Sequence, residues 1–315
     1  MSQTFESLGH FIIALAFAIL SVYAHNKQME LRRTTQRARL LYRVILTVAL
    51  FGCGVNVGWL AYNLSVLQAA HLLGALVHGL SYVSVLLIMM VVVVLIHFKP
   101  MIQADLHKTR RILAIGAHPD DIEIACGGTL ARLRSEGHIV HGLVLTRGGR
   151  GGNPLVRQNE ARNGAWILGL HELTLHDLSD TRLANEREVV RQRIEEKIQE
   201  FQPDLIFTHS ANDQHEDHRV IHEATVQAGR RVNTILCYES PSVTPDFKPN
   251  LFIEIGKFLD IKIESIREHV DQARKPYMDE GYIRAQARVR GEQAKTQYAE
   301  GFEIRRALMM EGGIL

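Results

Sequence analysis

The stretch "RILAIGAHPDDIEIACGGT", residues 111–129, joins a short apolar run to a loop that places His118, Asp120, Asp121 and Glu123 side by side. An apolar run of this length bounded by turn residues reads as a buried strand, and charge is costly there unless it has partners or chemistry to do. Downstream the same grammar repeats. Strands read at 111–117, 139–146, 172–178, 204–209 and 234–239, and amphipathic helices near 128–136, 157–168, 186–202, 217–230, 257–274 and 283–297. Strand and helix alternating through short loops predict an α/β fold: a Rossmann-like, mostly parallel sheet with helices on both faces. Such a sheet places its site beyond the carboxyl ends of its strands. "HPDD" follows the first strand directly, and "HSANDQHEDH" (209–218) closes and follows the fourth, so the two loops can converge.

Their residue types suit a metal. A catalytic zinc takes about three protein ligands from His, Asp and Glu and keeps one position for water, whose pKa it lowers toward neutrality. His118, Asp121 and His218 supply such a set. Asp120, beside a ligand but not needed as one, is then a general base, and His215 an oxyanion stabiliser or proton donor oriented by Asp217 or Asp213. Taken singly, each loop has an ordinary reading: an Asp after a strand often caps a helix, and a lone loop histidine is usually solvated. Glu123 reads as a helix-start charge, Gly127 and Gly128 as aids to close packing, and Cys126 as a small packed residue.

The first hundred residues differ in kind. Between Arg43 and Lys99 lie 55 residues without Asp, Glu, Lys or Arg, roughly 80 Å of helix against a bilayer core of about 30 Å. Two spans, Val44–Asn63 and Leu72–Phe98, with a turn at "NLSVLQAAH" (63–71), fit this length. Leu8–Ala24 is a third apolar run at the lower limit for a span. Its leading segment has Glu6 and no basic residue, and "SVYAHNK" is a poor cleavage site, which argues against a signal peptide. Residues 1–100 therefore read as an α-helical transmembrane anchor of two or three helices, and 101–315 as the catalytic domain. Lys27, Arg32, Arg33, Arg37, Arg39 and Arg43 make the first loop cytoplasmic, so the chain after Pro100 is expected in the cytosol of an integral, bacterial inner-membrane protein. Gly54 and Gly58 in "GVNVG" stand at the spacing of close helix contacts, either within the anchor or between copies of the chain as a homo-oligomer. His71, His78 and His97 read as interfacial or hydrogen-bonded groups.

Net charge follows this division. Seven basic and two acidic residues lie in the first 100, twenty-nine and thirty-two in the remaining 215. No basic stripe with interleaved aromatics marks a nucleic-acid surface. Cys53, Cys126 and Cys237 form no disulfide framework. "TRGGRGGN" (146–153) lacks the Gly-Lys-Ser or Gly-Lys-Thr of a nucleotide loop. It reads as a flexible loop beside the site, with Arg147 and Arg150 either solvated or facing an anionic part of a substrate. The tail 267–304 reads as one or two polar helices and a short strand that shape the pocket.

The opening motif, "TRGGRGG" (146–152) with "VRQNEARNGAWILGL" (156–170), "LHDLSDTRL" (175–183) and "NDQHEDHRVIHEA" (212–224) together resemble the PIG-L/LmbE-like de-N-acetylases, from about Arg111 onward. The resemblance implies a metal-dependent hydrolase removing acetyl from an N-acetylglucosamine-containing substrate, with Zn2+, or another divalent metal such as Fe2+, on His118, Asp121 and His218. It implies Asp120 as the base, His215 as the oxyanion-stabilising histidine, Arg157 gripping the sugar, Asp180 on a sugar hydroxyl, and Glu160 orienting Arg157. Membrane lipids and an N-acetylated amino sugar on a lipid carrier are the partners expected of such an enzyme on an anchor. A soluble conjugate as substrate, or a non-catalytic membrane scaffold, are the rival readings.

Overall fold

The computed structural model describes residues 2–26, 38–64, 79–90 and 109–308. Two compact units result, Met1–Pro100 and Met101–Leu315.

The first unit holds helices α1 (Ser2–Asn26), α2 (Ala38–Leu64) and α3 (Gly79–Met90). Tyr42–Ala61 is long and apolar enough to cross a membrane, while Gly9–Tyr23 and α3 are shorter apolar helices. The remainder of the Leu72–Phe98 run, most of the 63–71 turn, and His71, His78 and His97 lie outside the described residues. Polarity is distributed inside out. Phe11, Ile19, Phe51, Leu86 and Met89 are exposed, whereas His10, Asn56, Ser81 and Ser84 are buried. The buried groups satisfy one another: His10 Nδ1 and Ser81 Oγ each lie 2.7 Å from Asn56 Oδ1, and Asn56 Nδ2 donates to the Gly52 carbonyl at 2.8 Å. His10 also stacks on Trp59 at 4.0 Å. Close approach of α1 and α2 occurs at Gly52, where a Cβ would stand 2.5 Å from the Phe17 ring. Among the described residues, nothing lies within 4 Å of a Cβ built at Gly54 or Gly58, so the expected motif makes no contact inside this bundle.

The second unit is built on a seven-stranded sheet, β1 (Arg111–Gly116), β2 (Ile139–Thr146), β3 (Glu172–Leu178), β4 (Leu205–His209), β5 (Thr234–Tyr238), β6 (Leu251–Glu254) and β7 (Ala299–Arg306), in the order β3-β2-β1-β4-β5-β7-β6. The first five strands are parallel; β7 runs antiparallel to both β5 and β6. The sheet is therefore mixed. The chain goes from β1 outward to β2 and β3, then returns across the sheet to β4. That reversal leaves a crevice between the carboxyl ends of β1 and β4, the switch point where such sheets bind ligands.

Alternation along β1 divides the core. Ile112 and Ala114 belong to one apolar cluster, Leu113 and Ile115 to the other. Helices α4 (Asp121–Ser135), α5 (Pro154–Leu168), α8 (Leu259–Ile266) and α9 (Glu280–Ala294) cover the first face; α6 (Arg187–Phe201) and α7 (Glu216–Ala228) cover the second. Each large aliphatic side chain buried here contributes roughly 1.5–3 kcal/mol relative to exposure, which makes the sheet a rigid platform for its loops.

Two helices begin earlier than the sequence suggests. Pro154 opens α5 ahead of Arg157, with the Asn153 side chain accepting from the Leu155 and Val156 amides. Helix α4 starts at Asp121 and breaks at Cys126 (φ −140°, ψ 16°), so the predicted start at 128 marks its second half. That break exposes fresh amide donors. Glu300 of β7 accepts from Gly128 N at 3.0 Å and Thr129 N at 2.7 Å, and Lys262 Nζ lies 2.5 Å from the same carboxylate. A distant strand thus supplies the cap and α8 its counter-charge. Beyond α8 the chain forms two short 3₁₀ turns, Val270–Gln272 and Pro276–Met278, in place of a helix continuing to 274.

Candidate active site

Strand β1 delivers the first motif and β4 the second. After Gly116 the chain turns sharply: Asp120 N and Asp121 N both donate to the His118 carbonyl, and Asp121 Oδ2 accepts from Ala117 N at 2.9 Å and His118 N at 2.7 Å. The turn holds Asp120 at φ 155°, ψ −23°, a conformation L-residues rarely adopt. Such strain costs about 1–3 kcal/mol and persists only where the surroundings fix it. Helix α7 presents His218 from its first turn, and His215 caps it, accepting from Asp217 N at 3.2 Å through Nδ1.

Three side chains meet. His118 Nδ1 is 3.4 Å from His218 Nε2 and 3.5 Å from Asp121 Oδ2, and His218 Nε2 is 3.5 Å from Asp121 Oδ1. Metal–ligand bonds of about 2.0–2.1 Å in a tetrahedron require ligand atoms roughly 3.3–3.4 Å apart, so this donor set fits a divalent ion. The outer nitrogens are also engaged. His118 Nε2 lies 3.1 Å from Asp180 Oδ1 and 3.2 Å from Asp217 Oδ2, and His218 Nδ1 lies 2.9 Å from Asp213 Oδ2. A carboxylate behind each ring fixes its orientation and raises its basicity as a ligand.

The electrostatics follow from this packing. Burial opposes a charge on His118, but Asp121, Asp180 and Asp217 outweigh it and raise its pKa well above the usual value. His218 is held at about 9 against the same burial, by Asp121 and Asp213. Burial, with His218 and His118 close by, lowers the pKa of His215. Its Nδ1 accepts from a backbone amide, so a neutral His215 carries its proton on Nε2. Burial raises the Asp120 carboxyl, opposed by Arg157.

Several roles depart from expectation. Asp217 does not orient the His215 ring: its oxygens go to His118 and to the Thr181 and Leu183 amides. Asp213 orients His218, and accepts from the His215 backbone amide rather than its ring. Arg157 is 3% exposed; it donates to Asp120 Oδ1 at 3.2 Å and to the Gly148 carbonyl at 2.7 Å. Gly148 has φ +64°, and a Cβ there would overlap the guanidinium. Glu160 accepts from Asp271 N, holding the 270s loop instead of Arg157. Asp180 lines the cavity but spends its oxygens on His118 and Arg150 N.

The cavity, about 310 Å³, is bordered by His118, Asp120, Asp121, His215 and His218 on one side and by Lys275 and Tyr277 on another. Sequence reading passed over the last two, which sit in a tail without periodic signal. It also left His209 unassigned. That ring, fully buried at the end of β4, stacks on His218 at 3.8 Å, touches Asp121 Oδ2 at 3.2 Å and is lowered to about 4 by burial. Three further groups among the described residues have ligand atoms close enough to hold an ion: Asp121, His209 and His218; His118, His215 and His218; and His118, Asp180 and Asp217.

The model of the family described as "PIG-L: GlcNAc-PI de-N-acetylase" matches residues 113–229, the span containing both motifs. The chain belongs to this family. It is 34% identical over 170 residues to the uncharacterized deacetylase YaiS of Escherichia coli K12, covering 52% of this chain and 92% of that protein. It is 30% identical over 230 residues to a diacetylchitobiose deacetylase of Thermococcus kodakarensis, covering 64% and 86%. The solved structure of a conserved protein from Thermus thermophilus superposes with a TM-score of 0.59 at 27% identity, covering 64% of this chain and 97% of that one.

Proposed function

We propose that this PIG-L family protein is a membrane-anchored, zinc-dependent deacetylase acting on an N-acetylated amino sugar carried by a lipid at the cytoplasmic face. The observation that carries the chemistry is the meeting of His118 Nδ1 and His218 Nε2 at 3.4 Å, each 3.5 Å from one of the two Asp121 oxygens and each histidine backed by a carboxylate. The anchor reading rests on the first unit, which exposes Phe11, Ile19, Phe51, Leu86 and Met89 and buries His10, Asn56, Ser81 and Ser84 beside Phe17 and Trp59.

His118, Asp121 and His218 would hold the metal, which when bound polarises the acetamide carbonyl and acidifies water. Asp120 takes the proton of the attacking water as oxygen adds to the acetyl carbon. His215, protonated on Nε2, donates a hydrogen bond to the developing oxyanion. The C–N bond then breaks, the proton held by Asp120 passes to the leaving nitrogen, and acetate and a free amine result. Arg157 keeps the base in place and the glycine-rich loop against it.

The test is acetate release by purified full-length protein from soluble and polyprenyl-linked N-acetylglucosamine, with and without zinc. Zinc-dependent release and a higher kcat/KM for the lipid form support the proposal. Release without metal defeats the metal-dependent reading, and equal kcat/KM for both substrates defeats the lipid-carrier reading.

A further inference from the structure

The loops after β2 and β3 border a second, open cavity, about 440 Å³, at the same edge of the sheet. It shares Arg150 and Asp180 with the catalytic cavity, so the two are adjacent. Three arginines, Arg147, Arg150 and Arg182, line it against Asp177 and Asp180. The acids do not cancel them. Asp180 directs one oxygen to His118 and the other to the Arg150 backbone amide. Asp177 is 71% exposed and 3.5 Å from Arg147 Nη2, a solvated pair that water screens and that holds the guanidinium only weakly. Arg147 Nε is shielded from solvent with no acceptor. The Arg150 and Arg182 side chains make no ion pair or hydrogen bond among the described residues.

Arginines lining one pocket suit the planar, bidentate recognition of phosphate oxygens. We infer that this cavity is an anion subsite, which holds a phosphate ester carried by the amino sugar whose acetamide occupies the neighbouring catalytic cavity. The inference deepens the proposed deacetylase function and rests on it for the identity of the sugar. A soluble sugar phosphate and a lipid-linked sugar phosphate offer the same chemistry to these arginines.

The test uses the full chain loaded with zinc. First, kcat/KM is compared for N-acetylglucosamine 1-phosphate, the 6-phosphate and neutral diacetylchitobiose. At least one phosphate substrate is expected to be preferred tenfold or more, with the preference shrinking as salt rises. In an Arg147→Gln/Arg182→Gln double variant that ratio falls at least tenfold, and in Arg147→Glu/Arg182→Glu it inverts. Second, calorimetry on Asp120→Asn protein measures affinity for the same sugars without turnover. Arginine-dependent binding of a phosphate sugar supports the subsite even if the wild type hydrolyses nothing, an outcome that would sink the deacetylase reading alone. Hydrolysis of all three sugars at ratios unaffected by the arginine substitutions, or affinities unaffected by them, overturns the subsite. A polyprenyl-linked sugar phosphate then separates the sources: a higher kcat/KM than the soluble form identifies a lipid, and equal values identify a free sugar phosphate.

Discussion

Arg157 Nη2 stands 3.2 Å from Asp120 Oδ1, with the two side chains only 3% and 5% exposed. A buried charge whose partner is removed is left uncompensated, at a cost of about 3–5 kcal/mol. Arg157 is thus a positioning residue for the base, and its loss has a direction. Arg157→Ala removes the positive charge that opposes protonation of Asp120, so the acid limb of the pH–rate profile should move to higher pH while bound metal is retained. A rise in KM with an unmoved profile would instead restore the sugar-gripping role.

Metal content tests the ligand set. Purified protein should carry about one divalent ion per chain, and both His118→Ala and His218→Ala should lose most of it. Asp213→Asn, which removes a carboxylate 2.9 Å behind His218, should weaken affinity by roughly 10–100-fold without abolishing it. Undiminished metal in the two histidine variants would remove the assignment.

Metal and proton compete for the same nitrogens. His218 titrates at about 9 and His118 well above the usual histidine range, in both cases because neighbouring carboxylates outweigh burial. At neutral pH the metal-free His218 ring is therefore protonated, and binding must expel its proton. Apparent affinity should fall as pH is lowered from 9 to 6. Calorimetry in buffers of different ionisation enthalpy should report net proton release on zinc binding at pH 7; zero release or uptake contradicts the geometry.

In the proposed mechanism the chemical step depends on two residues outside the three ligands. Asp120→Asn should keep metal and lose about a hundredfold or more in kcat. His215→Ala should keep metal and lose roughly a hundred- to thousandfold. Near-normal turnover in either variant at saturating zinc would reassign that role.

In the helical unit, Gly52 and Gly58 should respond differently. A side chain at Gly52 overlaps Phe17, whereas one at Gly58 meets open space. Gly52→Val should lower the thermal midpoint of the detergent-solubilised protein by several degrees, and Gly58→Val should leave it within about a degree. The same loss in both would mean that Gly58 is packed, as it would be between copies of the chain.

Legibility in the sequence tracked how local each cause is. Strands β1, β4 and β5 announce themselves because a strand buried on both faces is nearly continuously apolar, whereas the edge strand β3 shows only apolar–polar alternation; the two charged loops stand out against them. The direction in which each carboxylate points is set by distant backbone. Asp217 is drawn to His118 by the Thr181 and Leu183 amides, which lie 36 and 34 positions away. Arg157 looks available for a sugar until folding places the Gly148 carbonyl and Asp120 around it. Strand β6, with four residues, is too short for a period to show, and the cavity residues Lys275 and Tyr277 lie in a segment with few apolar residues. His10 gives no sign in sequence that it will meet Asn56 and Ser81, because only the packing of three helices brings them together.

The carboxylate of Glu300 reaches an amide 172 positions earlier in the chain, and this has a consequence for the order of events during synthesis. The loop at 117–121 is synthesised long before Ala299–Arg306, so the half of α4 beyond Cys126 has no Glu300 cap until β7 has been made and has inserted between β5 and β6. A nascent or shortened chain ending before Ala299 carries every proposed ligand and still lacks the strand that settles the helix behind them. The proposed site is therefore expected to become fully ordered only after β7 has joined the sheet.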